Sequence, residues 1–480
     1  MHLHSRLVAI TPEEAGLKHF TVFLLFAMFL AMYPVQLSTA QESEVESATA
    51  AEPSRPEVNF GLGLSFGVQS YSDSEGEIIT FQALGFVPEL TVGQFGVGFD
   101  LLLHYRFTGG SDGTDFEVRE EDWEAEDFSE FLEVYLPKIR YIRWAHKGDP
   151  IYARLGGLDA VTLGNGFIVG RYRNTLFRPD LPVFGAEFDF DGAAVGFPYL
   201  GMESFVGNLA AFDLFGARLY ARPLLGMQSP LLSRLQLGFT AAADRDPAYF
   251  LERDPLFDDA TTPFDPDEVV ILGGDLRLPL LAAPPVSLNA GADLAVQDGD
   301  TLGGQIGLDG RALRILLFQS QLRFLGDNFI PSYFDSTYDL FRPERYAVYS
   351  SKDTLREGHV GYLVGAGLSL FQDVLVFRSS LEGPFGNVDG VRPTLRSELL
   401  LTEGIVPGVS ISAEYIKEGI KDLDDLGSLE RTRIGSRINY RTGPAVISLF
   451  YHVRHDPLRK QMGDDPWTVR SGLESTIALN

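Results

Sequence analysis

From Val58 to Gln69 the chain alternates without a fault. Val58, Phe60, Leu62, Leu64, Phe66 and Val68 fall on one parity, and Asn59, Gly61, Gly63, Ser65, Gly67 and Gln69 on the other. Period two is the spacing of an extended strand, whose successive side chains point to opposite faces. Because the pattern recurs down the chain, many wholly apolar strand faces have to be covered. Lipid can cover them only if every backbone N–H and C=O is paired within the protein, which for strands means a closed barrel. The alternation therefore predicts an all-β chain folded as a single antiparallel transmembrane β-barrel, apolar outside and polar within.

The N-terminal region predicts export. An uncharged apolar run, Phe20 to Tyr33, follows Lys18 and precedes the small-residue site Ser38-Thr39-Ala40. Residues 1–40 read as a signal peptide, since the run is shorter than the ~20 residues a spanning helix needs. Residues 41–57 (QESEVESATAAEPSRPE) are acidic and broken by Pro53 and Pro56, which predicts a disordered lead-in too short for a folded plug domain. The barrel is assigned residues 58–480. The chain has no cysteine, which excludes a disulfide scaffold and a lipid-anchored lipoprotein. A net charge of -27 argues against a nucleic-acid partner. No later run is long and apolar enough for a transmembrane helix.

Beyond Val58 the alternation divides into about twenty strands, or as few as about sixteen if neighbours merge. Short links such as His146 to Asp149, Ala282 to Pro285 and Arg441 to Pro444 mostly alternate with long ones, Thr108 to Glu130, Leu163 to Pro182, Arg245 to Pro266 and Gly326 to Glu357. Such an alternation suits short periplasmic turns and long external loops. Ala210 to Asp213 and Asp298 to Asp300 break it, being short where external loops are expected. Strands are expected near 131–145 and 150–161.

In these features, over about residues 58–480, the chain resembles the porin-like outer-membrane β-barrels of double-membraned bacteria. The resemblance implies an outer-membrane location and contact with outer-membrane lipid and the outer-membrane assembly machinery. It also implies passive transport, by a diffusion or substrate-biased pore for a small hydrophilic solute. The last strand departs from the class by ending Leu479-Asn480 rather than in an aromatic residue. Gly156 to Tyr172 (GGLDAVTLGNGFIVGRY) has the look of a signature segment. Two other readings stand beside the pore: an occluded envelope or adhesion barrel, and a channel for hydrophobic substrates with a lateral exit near Arg140.

A charge facing the bilayer midplane costs about 2–4 kcal/mol, so charged mid-strand residues belong on the lumenal parity. That rule nominates as pore-lining Asp100, His104, Arg106, Arg218, Arg222, Asp293, Glu414, Arg431, Arg433, Arg437, Arg454, Arg470 and Glu474. The C-terminal arginines would form a cluster. Such a cluster either selects anions, as arginine rings do, or is paired with lumenal carboxylates and braces the wall. In the strand expected at 131–145, Arg140 and Arg143 fall on opposite parities, which calls for a bulge or for an arginine snorkelling to the membrane edge.

The acidic loops lack calcium-loop spacing and read as solvated faces. Loop 326–357 is aromatic and of mixed charge; Phe329, Tyr333, Phe334, Tyr338, Arg342 and Arg345 make it the candidate to enter the lumen as a constriction. No nucleophile elbow, phosphate loop or zinc-helix motif is present, and His452, His455 and Asp456 read as a solvent-facing group. The expectation is a non-enzyme with no cofactor and no metal.

Overall fold

In the computed structural model, residues 58–72, 78–110, 113–177, 182–251, 264–283, 285–455 and 467–479 are described. The expected signal peptide and lead-in lie outside them. In chain order the elements are β1 (Val58–Ser72), β2 (Ile78–Val92), β3 (Phe95–Phe99), β4 (Leu101–Gly110), β5 (Gly113–Val118), α1 (Phe128–Tyr135), β6 (Ile139–Trp144), β7 (Ile151–Gly156) and β8 (Val169–Gly170). There follow β9 (Gly185–Asp191), β10 (Leu200–Val206), β11 (Leu214–Ala221), β12 (Gln236–Asp244), β13 (Val269–Ala283), β14 (Val286–Gln297), β15 (Thr301–Ala312), β16 (Leu316–Leu325), β17 (Phe334–Asp335) and α2 (Tyr338–Tyr349). The chain ends with β18 (His359–Leu370), β19 (Leu375–Pro384), β20 (Thr394–Leu401), β21 (Val409–Lys417), β22 (Thr432–Thr442), β23 (Ala445–His455) and β24 (Trp467–Leu479).

Each wall strand pairs antiparallel with its neighbours, and β24 returns to β1, where Leu62 pairs with Leu479 and Phe66 with Ser475. That last ladder closes the sheet and removes its edges. Among the described residues, twenty-two strand segments form the wall. They fill the twenty expected positions, because β3 lies end to end with β4 and β5 with β6.

The two faces of the wall separate as the alternation requires. Phe60, Phe66, Leu219, Phe239, Leu294 and Ile306 are exposed on the outside, Leu219 at 59% and Leu294 at 55%. On the opposite parity, Arg218, Gln305 and Arg323 are buried. An apolar outer band on a closed barrel with a polar interior is the form in which strands cross a bilayer.

The structure corrects the expected segment 131–145. The strand there begins only at Ile139, and β5 lies inside what reads as an acidic loop. Between them residues 119–138 leave the wall and return: the Arg119 amide donates to the His104 carbonyl at 3.0 Å and the Asp100 amide to the Lys138 carbonyl at 2.8 Å. The excursion is helical for local reasons. Asp127 caps α1 by accepting from the Glu130 amide at 2.9 Å, and Phe128, Phe131 and Tyr135 stack at helical spacing.

The parity conflict at Arg140 is resolved by a bulge. Gly98 pairs with Tyr141 and Phe99 with Ile139, so Arg140 is the extra residue. Arg140 and Tyr141 both reach Glu89, and Arg143, opposite the buried Gly96, shares their side. The bulge dictates a neighbour: Gly156 has φ +121°, and a Cβ there would lie 2.4 Å from the Arg140 carbonyl oxygen.

If the outer band faces lipid, Leu294→Arg should lower the stability of the folded barrel by about 2–4 kcal/mol. Denaturant titration in lipid vesicles reads this directly, and an unchanged midpoint would place Leu294 outside the hydrocarbon.

Candidate functional site

Two external connections turn inward. Residues 157–177, which follow β7, and residues 326–358, between β16 and β18, meet through the parallel pair β8 and β17. Leu158, Val161, Leu163, Phe167, Val169 and Tyr172 of the first pack with Phe329, Ile330, Tyr333, Phe334 and Tyr338 of the second. This core also takes Phe205, Leu214, Ala242, Val269, Ile271 and Ala295 from the β10–β14 wall. The Phe167 and Phe329 rings stack at 5.4 Å. The result is an apolar plug fixed to one side of the barrel, built by the signature-like segment and the long aromatic loop together.

Arg342 locks the plug to the wall. Its guanidinium donates to Asp213 at 2.6 Å, Asp339 at 2.7 Å and Asp244 at 3.2 Å, and all four side chains are buried. Tyr338 donates to Asp244 at 2.6 Å. Burial pushes the Asp339 carboxyl up to about 6 although Arg342 opposes it. Asp213 lies in one of the two anomalously short external links, and the other supplies Asp298 to Lys352 at 3.5 Å. The short links leave room for α2 and its flank to rest on them.

On the other side of the lumen, polar space runs between plug and wall. An inner cavity of about 680 Å³ is lined by β14–β16 and β18–β21 together with Thr162, Asn165 and Arg171. An outer cavity of about 460 Å³ is lined by the plug loop, the outer ends of those strands and Arg431. The two share Arg323, Asp335, Glu382 and Arg396. These four form one charge-alternating chain: Arg345 and Arg396 both donate to Asp335, Arg396 also approaches Glu382 at 3.6 Å, and Arg323 donates to Glu382 at 2.7 Å. From Arg323 the chain continues through Gln305 to Asp293 and Asn165, so it ties both inward loops to the wall. Burial would raise Asp335, but Arg345, Arg396 and the Thr337 donors bring it down to about 2.

The nominated residues fall into several groups. Arg218 makes a bidentate pair with Asp275 at 2.7 and 2.8 Å and reaches Glu203 at 3.2 Å, spanning Gly238, where a Cβ would meet the Asp275 carboxylate at 2.2 Å. Arg106 pairs with Glu117 across β4 and β5, Arg222 with Asp191, and His104 with Asp122. Asp100 sits at the break between β3 and β4. Glu414 receives Arg173 at 2.8 Å and Arg433 at 3.4 Å, and Arg431 receives Glu344 and Glu418 as partners. Arg437 stands over the Phe450 ring. The side chains of Arg454, Arg470 and Glu474 lie outside the described residues. The arginines described are thus mostly partnered by carboxylates.

Of the loop candidates, Phe329, Tyr333, Phe334, Tyr338 and Arg342 build the inside of the plug, while Arg345 and Phe329 also reach the outer cavity. The junction of the two cavities uses Arg323, Glu382 and Arg396, which the alternation did not single out. Their signal was present: Gln319, Gln321 and Arg323 alternate with Phe318, Leu322 and Phe324. Asp335 carried no parity signal, because it lies in a loop. His455 is buried beside Trp467, which departs from the expected solvent-facing group, whereas His452 is exposed beside Phe450, and Asp456 lies outside the described residues. Among the described residues, no group of three or more His, Cys, Asp or Glu is arranged to hold a metal ion.

The chain is similar in structure to Pseudomonas aeruginosa OpdL, at 11% identity over 88% of this chain and 98% of that one, with a TM-score of 0.30. It is also similar to Pseudomonas aeruginosa OpdK solved with vanillate (11%, 88% and 98%, TM-score 0.32) and to Acinetobacter baumannii OccAB1 (8%, 88% and 97%, TM-score 0.32). No family model and no curated protein matches the sequence. Likenesses of this size carry no functional weight.

Removing the Arg342 cation leaves Asp213, Asp244 and Asp339 buried together, so Arg342→Met should loosen the plug by about 3–5 kcal/mol. Limited proteolysis within 326–358 of the folded barrel measures this. Acidity acts on the plug in two directions. Asp339, raised to about 6, stabilises the plug as pH falls from 7 toward 5. Asp335, lowered to about 2, supplies stability above the ordinary carboxylate range that is lost as pH falls toward 2. Protease resistance of the loop should therefore peak at about pH 4–5; a monotonic profile would contradict the pairing.

Proposed function

We infer that the chain is an outer-membrane channel protein through which small hydrophilic solutes diffuse between the plug and the β14–β21 wall. The observation that carries this reading is the pair of polar cavities, one toward each mouth, joined at Arg323, Asp335, Glu382 and Arg396. A diffusion path needs polar walls without a deep binding well, and a charge-alternating narrowing supplies local field without net excess at the narrowest point. Lipid and the assembly machinery are the partners that such a barrel would meet.

A second reading, an occluded envelope barrel, draws on the apolar plug core, in which Val169, Tyr333, Phe334 and Tyr338 are fully buried. The channel for hydrophobic substrates finds less support. The bulge near Arg140 exists, but the cavities carry arginines, carboxylates and amides beside apolar residues such as Phe318 and Phe341.

Refolded protein in planar bilayers separates the first two readings: stable ohmic steps are expected, and a silent, folded barrel would overturn the channel. In a salt gradient, replacing Arg323 and Arg396 with Gln should shift the reversal potential toward cation preference.

A further inference from the structure

Two links at the periplasmic end differ in composition from the rest of the chain. Residues 192–199 (GAAVGFPY) join β9 to β10, and residues 222–235 (RPLLGMQSPLLSRL) join β11 to β12. Neither holds an Asp or Glu, although the sequence has 66. The second is also long for that end of the barrel, where the longest link besides these two is 402–408. Their apolar side chains stand in the open: Val195 is 67% exposed, Phe197 53% and Met227 48%, and Leu231 and Leu232 are exposed as well. A continuous apolar patch of this kind marks a surface that a partner covers.

The two links are built as one surface. The Arg222 amide donates to the Tyr199 carbonyl at 2.7 Å, and the Arg222 guanidinium donates to the Pro198 carbonyl at 2.9 Å and to Asp191. The Phe197 and Tyr199 rings lie 5.4 Å apart. Within 222–235 the backbone folds back on itself: the Met227 amide donates to the Leu224 carbonyl at 3.0 Å, Arg234 to Leu231 at 3.2 Å and Leu235 to Leu232 at 3.1 Å. Pro198, Pro223 and Pro230 have no N–H to satisfy. A segment that pairs its amides locally can lie at the edge of hydrocarbon, where an open loop could not. The patch also runs on from the lipid face without a break. Leu200 and Leu237, both exposed on the outside of the wall, pair with Ala221, the residue before the second link. The turn Leu232–Arg234 lies against β13, the next wall strand.

We propose that residues 192–199 and 222–235 form a membrane-interface site for an anionic phospholipid of the periplasmic leaflet, with Arg234 at the headgroup phosphate. Continuity names the covering partner: the hydrocarbon that meets Leu200 and Leu237 extends past the wall onto Phe197, Met227, Leu231 and Leu232. Tyr199 supplies the amphipathic ring that favours the boundary. Charge selects the headgroup. Arg222 is engaged by Asp191, whereas Arg234 is exposed, and its guanidinium has no hydrogen bond or ion pair among the described residues. In a chain of net charge -27, a surface with no carboxylate and a free guanidinium is where a negative lipid is tolerated. The guanidinium forks onto two phosphate oxygens while its apolar stem lies along the hydrocarbon side. A zwitterionic headgroup carries its own cation and gains less from that contact. The inference needs the barrel in a bilayer, not a conducting channel.

The test uses the full chain in phosphatidylcholine vesicles. The sequence has no cysteine, so Met227→Cys gives one attachment point for an environment-sensitive fluorophore. Phosphatidylcholine or phosphatidylglycerol bearing a nitroxide near the glycerol end of one acyl chain is added at equal mole fraction, and quenching reads how much of each lipid meets the link. Quenching by both is expected, stronger by phosphatidylglycerol. Adding Arg234→Gln should cut that preference about fivefold. Arg441→Gln, at another periplasmic turn where Glu403 holds the arginine, should leave it unchanged. No quenching by either lipid puts the link in water, leaves the patch to a periplasmic protein and overturns the proposal. Equal quenching by the two lipids, or a preference that survives Arg234→Gln, removes the headgroup contact and the proposal with it. Should the Arg234→Gln chain not fold, salt decides with the parent, since a preference that high salt does not weaken is not an arginine–phosphate attraction. Bilayer conductance is read separately, so the channel reading stands or falls independently of this site.

Discussion

The structure depends on closing a hydrogen-bond ladder where water is absent. In hydrocarbon each unpaired backbone N–H or C=O costs several kcal/mol, so a sheet with an edge has no stable place there. The pairing of β1 with β24 satisfies that demand, and everything else follows from it. Closure gives the wall two faces, commits one to lipid, and leaves the other around an interior that has to be polar or filled. The register of the ladder then decides which residues are lumenal. A single extra residue, Arg140, turns two apparently opposed arginines to one side. Gly156 follows from that bulge, because only glycine tolerates both its φ and the approach of the Arg140 carbonyl.

A barrel of this circumference leaves more space than wall side chains can fill, and the chain fills one side of it with two external connections folded back inward. The plug has the character of a soluble core, with aromatic rings and aliphatic side chains in contact and few polar atoms. Its attachment is electrostatic. Arg342 with its three carboxylates fastens it on one flank, and the chain from Arg345 through Asp335, Arg396, Glu382 and Arg323 fastens it on the other. The second attachment also lies where the two cavities share their lining, so one set of ion pairs both positions the plug and joins the cavities. Lumenal arginines therefore do not divide cleanly into selective and bracing groups. Arg218 and Arg342 are consumed by buried pairs, Arg323 and Arg396 are paired yet line both cavities, and Arg356 faces the outer cavity without a partner among the described residues.

Much of the wall was legible in the sequence, because a barrel strand writes its two environments directly into alternate residues. The twenty strand positions, the short turns at one end and the long connections at the other all come from that two-residue period and its interruptions. Residues 131–138 depart from the expected strand for a physical reason. Acidic residues and spaced aromatics are compatible with a loop, a strand end or a short helix, and the Asp127 cap that decides between them works over a single turn. In the lumen, parity named the inward residues of many strands but could not name their partners. Arg218 finds Asp275 and Glu203 because pairing depends on neighbouring strands brought into register from distant parts of the chain.

What the sequence by itself determined is the environment of each strand face, since lipid and water impose opposite chemistry on alternate residues. From that come the architecture, the direction of the faces and the number of strands. What only the tertiary structure decided is the content of the barrel. The signature-like Gly156 to Tyr172 segment and the 326–358 loop are far apart in sequence and carry no period that announces their contact. Their meeting depends on shape and on ion pairs across the lumen. Whether an arginine ends there as a brace, as part of a cavity wall or as an unpaired donor is set by which carboxylates the folded chain places beside it.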